Sequence, residues 1–148
     1  THGGETHSLA AMMATIGVYQ SEPVIEHLDR VGRRLRKGLD EAISRRGLQH
    51  HVGIHGPGCN LFFSTLDNDK KPSQAFRTLL LQETIKRGVI MPSLVVSYSH
   101  QDSDIDETVE AVDGALGVYA RALQDGVEKY LVGKPSIPVY RTFNTKAD

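Results

Sequence analysis

The chain has a single cysteine, Cys59, no tryptophan and few aromatic rings, with five tyrosines and four phenylalanines in 148 residues. Cys59 has no partner for an internal disulfide, so the fold does not rest on a disulfide frame and nothing argues for secretion. No apolar run approaches the roughly 20 residues that cross a bilayer, and no basic-then-apolar signal segment stands before the first helical pattern. Charge of one sign is missing too. Seventeen basic and 18 acidic side chains leave a net charge of −1, without the field that would gather nucleic acid or an anionic membrane. Expected partners are therefore small molecules and other proteins, with no nucleic acid and no membrane, in a cytoplasmic setting. With 39% hydrophobic residues and a mean hydropathy of −0.30, the composition is that of a globular chain long enough to bury a core.

The chain opens on Thr1-His2-Gly3-Gly4-Glu5-Thr6-His7-Ser8. Paired glycines let a backbone turn tightly and approach a ligand, and the helix that follows aims its unpaired N–H groups and positive dipole end at the turn. That pattern suits a phosphate, with a hydroxyl from Thr1, Thr6 or Ser8 completing the cradle. Taken alone it suits better a plain helix start, with Thr6 or Ser8 as the cap and the glycines merely turning the chain.

Beyond the turn, Leu9, Ala10, Met12, Met13, Ala14 and Ile16 form an apolar helix from Glu5 to about Tyr19 with almost no charge, which reads as buried. Its small residues Ala10, Ala11, Ala14 and Gly17 admit a second backbone, either from a sheet or from another subunit. Ser21-Glu22-Pro23 restarts the helix, and Val24, Ile25, Leu28, Val31, Leu35, Leu39, Ala42 and Ile43 follow at three- and four-residue steps to a stop at Gly47, the longest helix expected. Its other face mixes Arg33, Arg34, Arg36, Lys37, Arg45 and Arg46 with Asp29 and Glu41, the pattern of a solvated face.

Then the period changes. His51 to His55 and Cys59 to Thr65 read as strands around a Gly56-Pro57-Gly58 turn, with Leu61 and Phe63 facing one way and Asn60 and Phe62 the other. Pro72-Ser73 starts a helix carrying Phe76, Leu79, Leu80 and Ile85 to Gly88. Val89 to Met91 and Leu94 to Tyr98 read as short strands, and a last helix opens near His100 with acids in its first turn and the stripe Ile105, Val109, Val112, Leu116, Tyr119 and Leu123, ending near Gly126. Too few residues separate the strands for repeated parallel crossovers. The expected fold is α+β: a small, largely antiparallel sheet covered by helices and preceded by a long linker helix.

No complete catalytic set appears. His51 and His55 share a strand face but lie four residues apart at ~3.3 Å each, too far for one ion. Cys59 reads as core filler on a strand. Ser97, Ser99 and His100 lack the strand-turn-helix setting of a nucleophile, and His100 reads as the end of a strand and a cap for the last helix. Lys70 and Lys86 stand in polar surroundings unlike those of a Schiff-base lysine.

Read together, these pieces resemble a known family. Thr1-His2-Gly3-Gly4-Glu5 before an alanine-rich helix is similar to the Thr-x-Gly-Gly-Asn turn of class III, fold type I pyridoxal-phosphate-dependent aminotransferases. Gly88-Val89, Met91-Pro92-Ser93, Ser97-Tyr98-Ser99-His100 and Asp104-Ile105-Asp106-Glu107-Thr108 resemble that class's C-terminal pattern. Within the class, Cys59-Asn60-Leu61-Phe62-Phe63 and the ordered series of landmarks from Thr1 to about Leu123 are most like the glutamate-1-semialdehyde 2,1-aminomutase group. Two differences stand out: the opening turn is two residues longer than the family's, and part of the glutamate-rich loop between Pro92-Ser93 and Ser97 is missing. No arginine stands on the Leu94 to Tyr98 strand to grip a carboxylate, so both transamination and aminomutation stay open.

The resemblance implies the C-terminal part of a longer enzyme: residues 1–20 a large-domain helix with its phosphate turn, 21–47 a linker helix, 48–133 a small α+β domain and 134–148 a tail. It implies pyridoxal 5′-phosphate as cofactor, a small amino donor or acceptor as substrate, and a homodimer in which Thr1 reaches the cofactor phosphate of the neighbouring subunit. The Schiff-base lysine would lie upstream, so no catalytic residue and no metal ligand is assigned here and the fragment alone is expected to be inactive. The alternative from the residues themselves is a stand-alone α+β binding or dimerisation module.

Overall fold

A computed structural model describes residues 4–137. The elements, in order, are α1 (Thr6–Ser21), α2 (Val24–Arg45), β1 (Val52–His55), β2 (Asn60–Thr65), α3 (Gln74–Ile85), β3 (Leu94–Val95) and α4 (Asp102–Asp125), followed by a 3-10 turn at Val127–Lys129. The α+β expectation holds.

The three strands lie side by side in chain order, and both pairings are antiparallel. Val52 pairs with Thr65 and Ile54 with Phe63 in the first pair, and Leu61 with Leu94 in the second. Alternation puts Val52, Ile54, Leu61, Phe63 and Leu94 on the buried face, while Asn60, Phe62 and Val95 look outward. Against the buried face pack Val31, Leu35, Leu39 and Ile43 of α2, Phe76, Leu79 and Leu80 of α3, and Ile105, Val112, Leu116 and Tyr119 of α4. These stripes are the ones expected from three- and four-residue spacing.

Tyr119 is fully buried and stacks at 4.6 Å on Phe76, while its hydroxyl donates to the Leu66 carbonyl at 2.6 Å. Such a bond satisfies the one polar atom of an otherwise apolar ring. Close backbone approach fixes how the β1–β2 hairpin sits on α2. A Cβ on Gly32 would stand 2.1 Å from the Gly58 carbonyl oxygen, so only glycine fits there. Beside it, Arg36 donates to the carbonyls of Gly56 at 2.8 Å and Ile54 at 3.1 Å, pinning the same hairpin.

Helix boundaries follow local chemistry. Ser73 caps α3 by accepting from the Phe76 N–H at 3.3 Å. Gly47, Gly88 and Gly126, with φ of 68°, 84° and 96°, take the left-handed turns that end α2, α3 and α4. At the start of α4 a reciprocal capping box joins Gln101 and Asp104, the Gln101 N–H donating to the Asp104 carboxylate at 2.7 Å.

Several expectations are corrected. The longest helix is α4 with 24 residues, against 22 in α2, because the capping box and Gly126 bound a longer uninterrupted stripe. Val89 to Met91 forms no strand; Gly88 turns the chain, Ile90 is 79% exposed, Val89 packs against the edge of the core and Met91 is buried in it. The strand expected from Leu94 to Tyr98 ends at Val95, because the chain turns at Tyr98–Ser99 before α4. Most different is α1. No residue of it is buried, and Leu9, Met12, Met13, Ile16, Val18 and Tyr19 are each 42–64% exposed.

Candidate functional site

The opening turn is the one place where the sequence suggests a phosphate. Thr1, His2 and Gly3, and with them the cofactor contact expected of Thr1, lie outside the described residues. From Gly4 onward the turn leads into α1 with Glu5, rather than Thr6 or Ser8, at the N-cap position and in extended backbone conformation. The Glu5 carboxylate accepts from the Ser8 hydroxyl at 3.4 Å and lies 3.1 Å from His7 Nε2. An anion here would meet the positive end of a 16-residue helix and, opposing it, that carboxylate. These described residues do not by themselves make a site for a phosphate-bearing cofactor.

The second landmark is the bend from Val96 to His100, between β3 and α4. His100 Nδ1 accepts the Ser97 backbone N–H at 3.0 Å, and the Ser97 hydroxyl stands 3.4 Å from the same nitrogen. The turn thus brings together a serine and a histidine that straight-strand geometry would have kept on opposite faces. A backbone donor already uses the nitrogen that would take the hydroxyl proton, so the pair shapes the turn instead of activating Ser97. His100 caps this local turn, whereas Gln101 caps α4. His27, which the sequence reading passed over, is the residue that joins α2 to the bend. Its Nε2 lies 3.0 Å from the His100 carbonyl, and its ring meets Tyr98 edge-on at 5.0 Å. Its signal was available: position 27 falls three residues after Val24 and four before Val31, on the inward stripe of α2.

Between α1 and this bend runs an apolar groove of about 440 Å³, lined by Val18 and Tyr19 of α1, Val24 and Leu28 of α2, and Val96 and Tyr98. The bend and the end of α1 thus flank a recess that the described residues leave open. No lysine or arginine lines it.

The remaining candidates are structural. Lys70 Nζ donates to His51 Nε2 at 2.6 Å, while His51 Nδ1 donates to the Asp67 carbonyl at 3.1 Å, a chain of bonds that needs neutral His51 with its proton on Nδ1. His55 Nε2 bonds the Ser64 hydroxyl at 2.8 Å across the outer sheet face. Among the described residues no three of His, Cys, Asp and Glu converge as a metal site requires. Cys59 is exposed, not core filler, because it sits in the hairpin just before β2.

Lys86 is tied to Glu83 at 2.6 Å, and Arg87 reaches the other oxygen of that carboxylate at 2.9 Å. Burial pushes the Glu83 carboxyl up, but hydrogen bonds from Lys86, Arg87 and Gln82 outweigh it and hold the group at about 2. Along the α2–α4 seam, among the described residues, each cross-helix ion pair has its base on α2 or its C-cap and its acid on α4: Arg30 with Asp102, Arg34 with Asp102 and Asp106, and Arg45 and the C-cap Arg46 with Asp113. Hydrogen bonding to Arg46 holds the Asp113 carboxyl below the ordinary range despite its partial burial.

No family model matches the chain. Individual proteins do. The chain is 30% identical over 131 residues to glutamate-1-semialdehyde 2,1-aminomutase of Thermomicrobium roseum, a match covering 82% of the chain and 30% of that protein. It is 26% identical over 127 residues to the protein of the same name from Thermus thermophilus, covering 78% of the chain. A third relative, glutamate-1-semialdehyde 2,1-aminomutase 1 of Bacillus cereus, is 27% identical over 126 residues. The chain therefore spans about 30% of the length of the curated relatives it matches. Among solved structures, the PLP internal aldimine form of the Sphingopyxis sp. MTA144 FumI protein superposes with a TM-score of 0.66 at 27% identity, covering 78% of the chain and 28% of FumI. Over roughly four-fifths of its length this chain is similar in sequence to proteins named glutamate-1-semialdehyde 2,1-aminomutase and in fold to the pyridoxal-phosphate-bearing FumI.

Proposed function

We propose that the chain is the C-terminal part of a longer pyridoxal-phosphate-dependent aminotransferase or 2,1-aminomutase, a cytoplasmic homodimer acting on a small amino compound. The observation that carries this reading is the joint match: similarity to the aminomutases over about 80% of the chain together with the FumI superposition. In this reading residues 1–20 belong to the large domain, 21–47 link the domains, 48–133 form the small domain and 134–148 are the tail. The cofactor would supply the carbanion-stabilising chemistry, held by a lysine upstream of Thr1. The chain's own contribution is positional: Thr1 would donate to the cofactor phosphate of the neighbouring subunit, and the bend from Val96 to His100, fixed by His27, would form part of the wall facing the substrate.

The exposed α1 supports the same reading. Thr6–Ser21 contains no Asp, Glu, Lys or Arg, and both of its faces are apolar or small, which is the composition of a helix covered all round. A stand-alone module would leave that surface in water. Alone, the chain would lack the residue that bonds the cofactor and would be inactive.

The test is binding of pyridoxal 5′-phosphate, read by its absorbance, to the polypeptide that includes the upstream coding sequence. Stoichiometric binding, weakened at least tenfold by Thr1→Ala, is the expected result. A longer protein that binds no pyridoxal phosphate overturns the proposal.

A further inference from the structure

We draw no further inference here: the strongest candidate, the apolar groove between α1, the start of α2 and the Val96–Tyr98 bend, adjoins a helix face for which nothing in the structure shows a cover other than the longer polypeptide already proposed.

Discussion

Helices α1 and α4 are built from equally good helix formers and end in opposite circumstances. Of the 24 residues of α4, eight are buried; of the 16 in α1, none is. The difference lies in pattern. In α4 charged residues alternate with the stripe Ile105, Val112, Leu116 and Tyr119, so one face meets the core and the other meets water. In α1 the large residues Leu9, Met12, Met13 and Ile16 occupy one side and the small residues Ala10, Ala14 and Gly17 another, with no charged face between them. An amphipathic helix declares one partner, whereas a helix apolar all round declares partners on every side. The core domain can satisfy the first alone and the second not at all.

Cutting into the buried half of this contrast should have the largest effect. Leu116→Ala removes a side chain with no exposure and should cost about 2–5 kcal/mol in chemical denaturation, whereas Met13→Ala on α1 should stay within about 0.5 kcal/mol in the 148-residue chain. An equal loss for both would mean that α1 is already part of the core. Gly32→Ala comes next, since its Cβ would collide with the Gly58 carbonyl; a loss of about 1–3 kcal/mol is expected from forcing the hairpin off α2.

The contrast sharpens with charge. Met12→Glu combined with Met13→Lys should lower self-association of the 148-residue chain, measured by sedimentation, while leaving its unfolding midpoint unchanged. In the longer polypeptide the same pair should prevent folding to a soluble product. If it were tolerated there, α1 would not be a buried element of that protein.

Acid titration probes α3. Because Glu83 is held at about 2 against an ordinary 4.5, its contribution to stability is full above the ordinary value and is lost as pH falls from there toward about 2. Glu83→Gln should flatten that part of the stability profile. The smallest effect is expected at the α2–α4 seam: Arg34→Ala breaks exposed pairs with Asp102 and Asp106, and its small shift in midpoint should shrink further in high salt.

Much of this was legible in the residues because burial follows period. The inward stripes of α2, α3 and α4 and the alternation of β2 were readable from spacing alone. Short, contested segments were not. Val89 to Met91 carries strand formers, yet the chain leaves Gly88 in a direction that offers no neighbouring strand, and a strand needs a ladder partner. On a straight strand Ser97 and His100 point to opposite faces, but a turn after β3 brings them together. Spacing put His27 on the inward stripe of α2, but its partner is the His100 carbonyl from 73 positions away, which only the fold brings within reach.

By itself the sequence determined the α+β class, the order of the elements, the core stripes and the kinship with pyridoxal-phosphate enzymes. All of these depend on local period, on glycine and proline punctuation, or on ordered landmarks. Tertiary structure alone decided the length of β3, the capping of α4 by Gln101, the fit of Gly32 against Gly58 and the nakedness of α1. Each of those depends on what lies across space from a residue: a ladder partner, a reciprocal side chain, a carbonyl 2.1 Å from a missing methyl, or, for α1, a covering surface that the described residues do not provide.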